Sequence, residues 1–168
     1  MKSVEPGGTK YRRVVVGVDD SVGGLAALQR AVDLARVGHS PLVAVRSWGL
    51  GVPRHGGRRH RHVGGEHGHV VLFYDEHGQR EQSARLVRQA FRNATGGVPR
   101  DIAVTIATPE GDPARILTEL AADDGDVLVV GTEHDQAMRR LVHGSVSRYC
   151  WEHAHCPVVV VPAPEATD

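Results

Sequence analysis

Aromatic residues make up only 4% of this 168-residue chain, and it has just two cysteines, Cys150 and Cys156. Two thiols build no disulfide framework, so the fold must rest on a buried core, and a reducing compartment suits them. Neither charge is in excess: 20 Lys and Arg stand against 20 Asp and Glu. That balance argues against a nucleic-acid binder, which would present a basic face or a high pI. Long apolar runs are missing too. Runs such as 127–130 and 158–161 fall far short of the roughly 18–20 residues needed to cross a membrane, and no membrane insertion is expected. Residues 1–9 hold no apolar stretch resembling a signal peptide, which makes the cytoplasm the expected compartment. A hydrophobic content of 40% excludes a disordered chain, and the length suits one domain. What the chain does have in quantity is histidine, 11 residues, and glycine, 20.

The apolar pattern divides the chain into alternating strands and helices. Residues 1–11 form a polar N-terminal tail, 12–162 the domain, and 163–168 a second tail. Residues 13–19 (RVVVGVD) are a β-branched run typical of a strand buried on both faces. Ser21 then caps a helix to about Val37, carried by Leu25, Leu28, Val32 and Leu34 and ended by Gly38. Residues 41–48 (PLVAVRSW) read as a second strand. The pattern breaks between Gly49 and Phe73, and we assign an insert at about 50–72 without elements of its own. Helical spacing returns from Asp75 to Ala94, and Gly96-Gly97 ends it. A strand at 102–107 follows, then a helix opened by Asp112-Pro113 and running to about Ala122. A strand at 126–131 (DVLVVG), a helix at 144–153 and a strand at 157–162 (PVVVVP) complete the order. Strands alternating with helices imply an α/β fold: a parallel, doubly wound, Rossmann-like sheet of five strands with helices on both faces. Such sheets bind ligands beyond the carboxyl ends of their strands, where strand order reverses.

The residues at those ends are suggestive. Asp19 and Asp20 follow the first strand. Gly131 and a loop reaching Gly144-Ser145 follow the fourth. Backbone N–H groups at a helix start, with a hydroxyl beside them, make an anion site, and Gly131 would let backbone approach a ligand closely. Asp19 could accept hydrogen bonds from a ribose hydroxyl or an adenine amino group. The plainer readings are an ordinary helix cap at Gly144-Ser145 and a capping carboxylate at Asp19.

Four segments in this order, VVVGVDDS (14–21), EGDPARIL (110–117), DVLVVGT (126–132) and HGSVSRYCWEHAHCPVVVVP (143–162), resemble the universal stress protein family. The resemblance covers nearly all of the chain outside the tail and the insert. It implies strand order 3-2-1-4-5 and, for the members that bind ATP, a motif of glycine, two residues, glycine, nine residues, then glycine with Ser or Thr. Here the matching positions are Gly131, His134 and Gly144-Ser145: the spacing is kept, and His134 replaces the middle glycine. By the resemblance Asp19 and Val45 face the adenosine, while Gly131, Gly144, Ser145 and Val146 hold the phosphates of ATP or AMP, with Mg²⁺ as an accompanying ion. His134 brings a β-carbon to a place where backbone should wrap phosphate, although an imidazole can donate to phosphate and Arg139 and Arg140 lie in the same loop. The phosphate loop is therefore degenerate. The resemblance also implies a homodimer paired antiparallel through the edge strand from Val158 to Val161, whose apolar edge needs covering.

Other motifs fare less well. No G-x-G-x-x-G follows the first strand and no P-loop occurs, and a response-regulator receiver fails for want of an Asp after the third strand and a Lys after the fifth. Cys150, His153, His155 and Cys156 fit no common zinc spacing, so we assign them to structure. Residues 54–69 hold five His, five Gly and four Arg with a formal charge of +3. We take them as a solvated loop with no metal assigned. A metal-binding tract and a pH-responsive docking segment are the alternatives. No Ser-His-Asp or Cys-His nucleophile and no general base can be assigned, so no catalytic residue is named and slow ATP hydrolysis is the most that is expected. The reading is a stress-response regulator that binds nucleotide and acts on an unidentified regulatory protein. The alternative is an adaptor without nucleotide, working through its dimer surface and its His-rich insert.

Overall fold

A computed structural model describes residues 10–49, 60–63, 70–73, 76–132 and 146–164. Its elements are β1 (Val14–Gly17), α1 (Val22–Gly38), β2 (Leu42–Val45), β3 (His60–Val63), β4 (Val70–Phe73), α2 (Glu76–Thr95), β5 (Val104–Ala107), α3 (Pro113–Leu120), β6 (Val127–Thr132), α4 (Val146–His153) and β7 (Val158–Pro162). Five of the strands form one sheet in the order β5-β2-β1-β6-β7. All its pairings are parallel, with Val14 opposite both Leu42 and Val127. Counted along the sheet strands alone, this is the expected order 3-2-1-4-5, with the order reversing at β1.

The sequence explains why the sheet is covered twice. In β1, Val14, Val15 and Val16 are all buried, and their side chains alternate between two cores. Val14 and Val16 pack with Leu28, Val32, Val87 and Phe91 from α1 and α2. Val15 packs on the other face with Leu117, Leu128 and Cys150, beneath α3 and α4. Local chemistry sets the helix ends. The Ser21 hydroxyl accepts from the Gly24 N–H, and Asp112 accepts from the Arg115 N–H ahead of Pro113. His39 closes α1 in the left-handed conformation, at φ 48°, and donates its N–H to carbonyls of the last turn.

Two features go beyond the expected layout. Within the insert, where the sequence pattern breaks, β3 and β4 pair antiparallel, with His60 opposite Phe73 and Val63 opposite Val70. The run Val70-Val71-Leu72-Phe73 is a sound strand sequence in a composition otherwise dominated by His, Arg and Gly. The packed domain also extends one residue past each expected boundary. Tyr11 is buried against α1, where its carbonyl accepts from the Ser40 hydroxyl at 2.6 Å, and Ala163 is buried with its N–H on the Thr132 carbonyl. Residues 1–9 and 165–168, and most of the His-rich stretch, lie outside the described residues.

Candidate functional site

The switch point falls between β2 and β6, on either side of β1, and the chain leaving β1 shapes what lies there. The Val18 N–H donates to the Val45 carbonyl at 2.8 Å, which keeps β1 and β2 together to the end of the sheet. The Val45 side chain is buried with Val15 and Leu117, so at this position it offers backbone rather than a side chain. Asp19 comes next and is exposed. Its Oδ1 accepts from the Ser21 N–H at 3.0 Å and from the Ser21 hydroxyl at 2.5 Å. No basic side chain pairs with Asp19 among the described residues, and its Oδ2 receives no hydrogen bond there. A carboxylate held in this way has one oxygen left to accept from a hydroxyl or an amino group.

β6 ends beside the same turn. A β-carbon on Gly131 would lie 2.3 Å from the Gly23 carbonyl oxygen, and one on Gly23 would lie 2.5 Å from the Thr132 carbonyl oxygen. The first turn of α1 therefore rests directly on the backbone of β6. Sequence reasoning gave Gly131 the task of letting a ligand approach. The contact it makes in the structure is with Gly23 and Gly24, in the first turn of α1.

Across the β1–β2 edge, Arg46 makes a two-pronged ion pair with Asp20, at 3.0 and 3.3 Å. A charged residue next to a buried strand gave no sign of its partner in advance. Farther out, the Trp48 indole donates to the Thr108 carbonyl at 2.9 Å, and the Trp48 backbone bridges to the segment after β5 through Pro109 and Gly111. Gly49, at φ 88°, supports that bridge in a conformation other residues rarely adopt.

Of the expected site residues, the structure places Asp19, Val45 and Gly131 at neighbouring strand ends, with Val146 opening α4. His134, Gly144 and Ser145 lie outside the described residues. The Cys/His group at the end of α4 does not converge. Both thiols are buried, whereas His153 is on the surface, stacked on Tyr149 at 4.1 Å with Nδ1 2.9 Å from the Tyr149 carbonyl oxygen. Among the described residues no three His, Cys, Asp or Glu side chains come together as a metal site would need. No helix among them is long and apolar enough to cross a membrane.

Comparison with known proteins places this geometry among relatives. The model of the family described as the universal stress protein family matches residues 10–56 and 71–162. A universal stress protein of Synechocystis sp. is 39% identical over 56 residues, a match that takes in 33% of this chain and 52% of that protein, so the chain spans about half the length of this curated relative. A solved universal stress protein in complex with cAMP superposes with a TM-score of 0.57 at 21% identity, covering 92% of this chain and 99% of the other. The universal stress protein from Archaeoglobus fulgidus in complex with dAMP superposes with a TM-score of 0.50 at 17% identity, covering 90% and 98%.

Proposed function

The chain belongs to the universal stress protein family, and from that premise we propose that it is a regulatory protein of the stress response that binds an adenine nucleotide at the carboxyl ends of β1 and β6. The observation that carries the reading is Asp19. It sits at the switch point with one oxygen fixed by Ser21 and the other open, beside the end of β2 at Val45. Two proteins of the same fold bind cAMP and dAMP, which supports an AMP-type ligand here. The residues present fit the nucleoside end of such a ligand: a carboxylate without a cation partner among the described residues suits ribose hydroxyls or an adenine amino group.

The phosphates of ATP or AMP would lie toward Gly131, Gly144, Ser145 and Val146, with His134 in place of a glycine. In this reading the loop is degenerate, and Mg²⁺, where present, would be held through the phosphates. With binding groups but no general base assigned in the sequence, the site suits sensing rather than turnover. The protein acts as a homodimer paired through β7. That strand lies at the edge of the sheet, and Val160 on it is 38% exposed.

Calorimetry with AMP, ADP and ATP, with and without Mg²⁺, tests the reading. AMP is expected to bind in the micromolar to millimolar range, and His134→Gly is expected to tighten ATP more than AMP. Failure of all three nucleotides to bind at millimolar concentration would overturn the proposal in favour of an adaptor working without nucleotide.

A further inference from the structure

We propose that Ser21 and Gly24 are positioning residues for Asp19, holding its carboxylate in one orientation toward the nucleotide; the inference rests on the nucleotide reading above. An ordinary helix cap needs only that the serine oxygen accept from the first-turn N–H, and Ser21 does so with Gly24 at 2.9 Å. Ser21 does more. Its hydroxyl proton goes to Asp19 Oδ1, and so does its backbone N–H, which places two donors on one carboxylate oxygen. The α-carbon of Gly24 closes the other side. A β-carbon there would lie 1.9 Å from Asp19 Oδ1 and 3.1 Å from the Ser21 hydroxyl. An exposed aspartate would otherwise move among rotamers and lose that freedom on binding. This one is fixed beforehand, with Oδ2 left for the ligand, and such pre-ordering lowers the entropy cost of association.

The arrangement separates positioning from stability. Gly24→Ala keeps the cap and adds a good helix former, and the side chain it meets most closely is that of Asp19, which is exposed and can swing away. Ser21→Gly removes the hydroxyl donor at little cost to the cap, whereas Ser21→Thr keeps both functions.

The test is AMP titration calorimetry on the full chain, with thermal unfolding measured in parallel. Gly24→Ala and Ser21→Gly are expected to bind AMP about tenfold more weakly, the loss of one hydrogen bond to a charged group. Ser21→Thr is expected to stay within about twofold of the parent, and unfolding of Gly24→Ala to be no earlier than that of the parent. In an Asp19→Asn background, Gly24→Ala should cause no further loss. Parental affinity in Gly24→Ala, or an equal loss in the Asp19→Asn background, would overturn the inference while leaving the nucleotide reading intact. Failure of the parent chain to bind AMP would overturn both.

Discussion

Arg13 and Asp126 tie the amino ends of two adjacent strands together, with Nη2 2.6 Å from Oδ2 and Nε 3.2 Å from Oδ1. The same Nη2 donates to the Leu120 carbonyl at 2.9 Å, which brings the end of α3 into the network. Asp126 is wholly buried while the Arg13 side chain remains 33% exposed. Removing the acid would therefore strand a cation that water reaches only in part. Asp126→Asn is expected to cost about 3 kcal/mol, at the lower end for a broken buried pair because of that partial exposure. Urea unfolding at neutral pH measures it; a loss below about 1 kcal/mol would mean that solvent screens the pair as it does on a surface.

Gly131→Ala should destabilise the fold whether or not nucleotide is present. The added methyl would meet backbone, at 2.3 Å from the Gly23 carbonyl oxygen and 2.7 Å from the Gly24 nitrogen, and no flexible side chain can yield there. We expect at least about 2 kcal/mol by urea unfolding, in the range found for overpacked sites. An unchanged midpoint would show that α1 can slide on β6.

The buried thiols carry a pH signature. Burial, reinforced by the neighbouring Cys156, pushes the Cys150 thiol up to about 11. A thiol whose value rises on folding contributes stability below its unfolded value, near 9, and loses that contribution as pH climbs through 11. The urea midpoint should therefore fall between pH 9 and 11, and fall less steeply in Cys150→Ala. Native Cys150 should also resist alkylation at pH 8, since the thiolate is the reactive form.

Val160→Lys tests the proposed dimer. A lysine on an exposed edge strand opposes pairing with a second copy and leaves the monomer core untouched. Sedimentation is expected to show a dimer for the parent chain and a monomer for the variant. A monomeric parent would remove the proposal.

The fold was largely legible because its central strands are runs of valine and leucine. Runs such as 14–16 and 127–130 leave no polar face, and only a doubly covered parallel sheet uses such strands. The caps at Ser21 and Asp112 were legible for the same local reason. The hairpin of β3 and β4 was not, because four strand-forming residues were outweighed by the His, Arg and Gly around them. At the site, Asp19 could be named from its place after a strand. Its bonds to Ser21, the pairing of Arg46 with Asp20 and the contact of Gly23 with Gly131 could not, because each depends on how two elements pack.

That last contact changes what a glycine at the end of β6 signifies. Main chain touches main chain there, and the fit is one of shape alone. A descendant of this chain that had lost every use for a nucleotide would still have to keep Gly131 in order to seat α1. Its presence thus has no diagnostic value for ligand binding. The informative positions are those the fold leaves free to vary, where retention would have to be explained by something outside the protein.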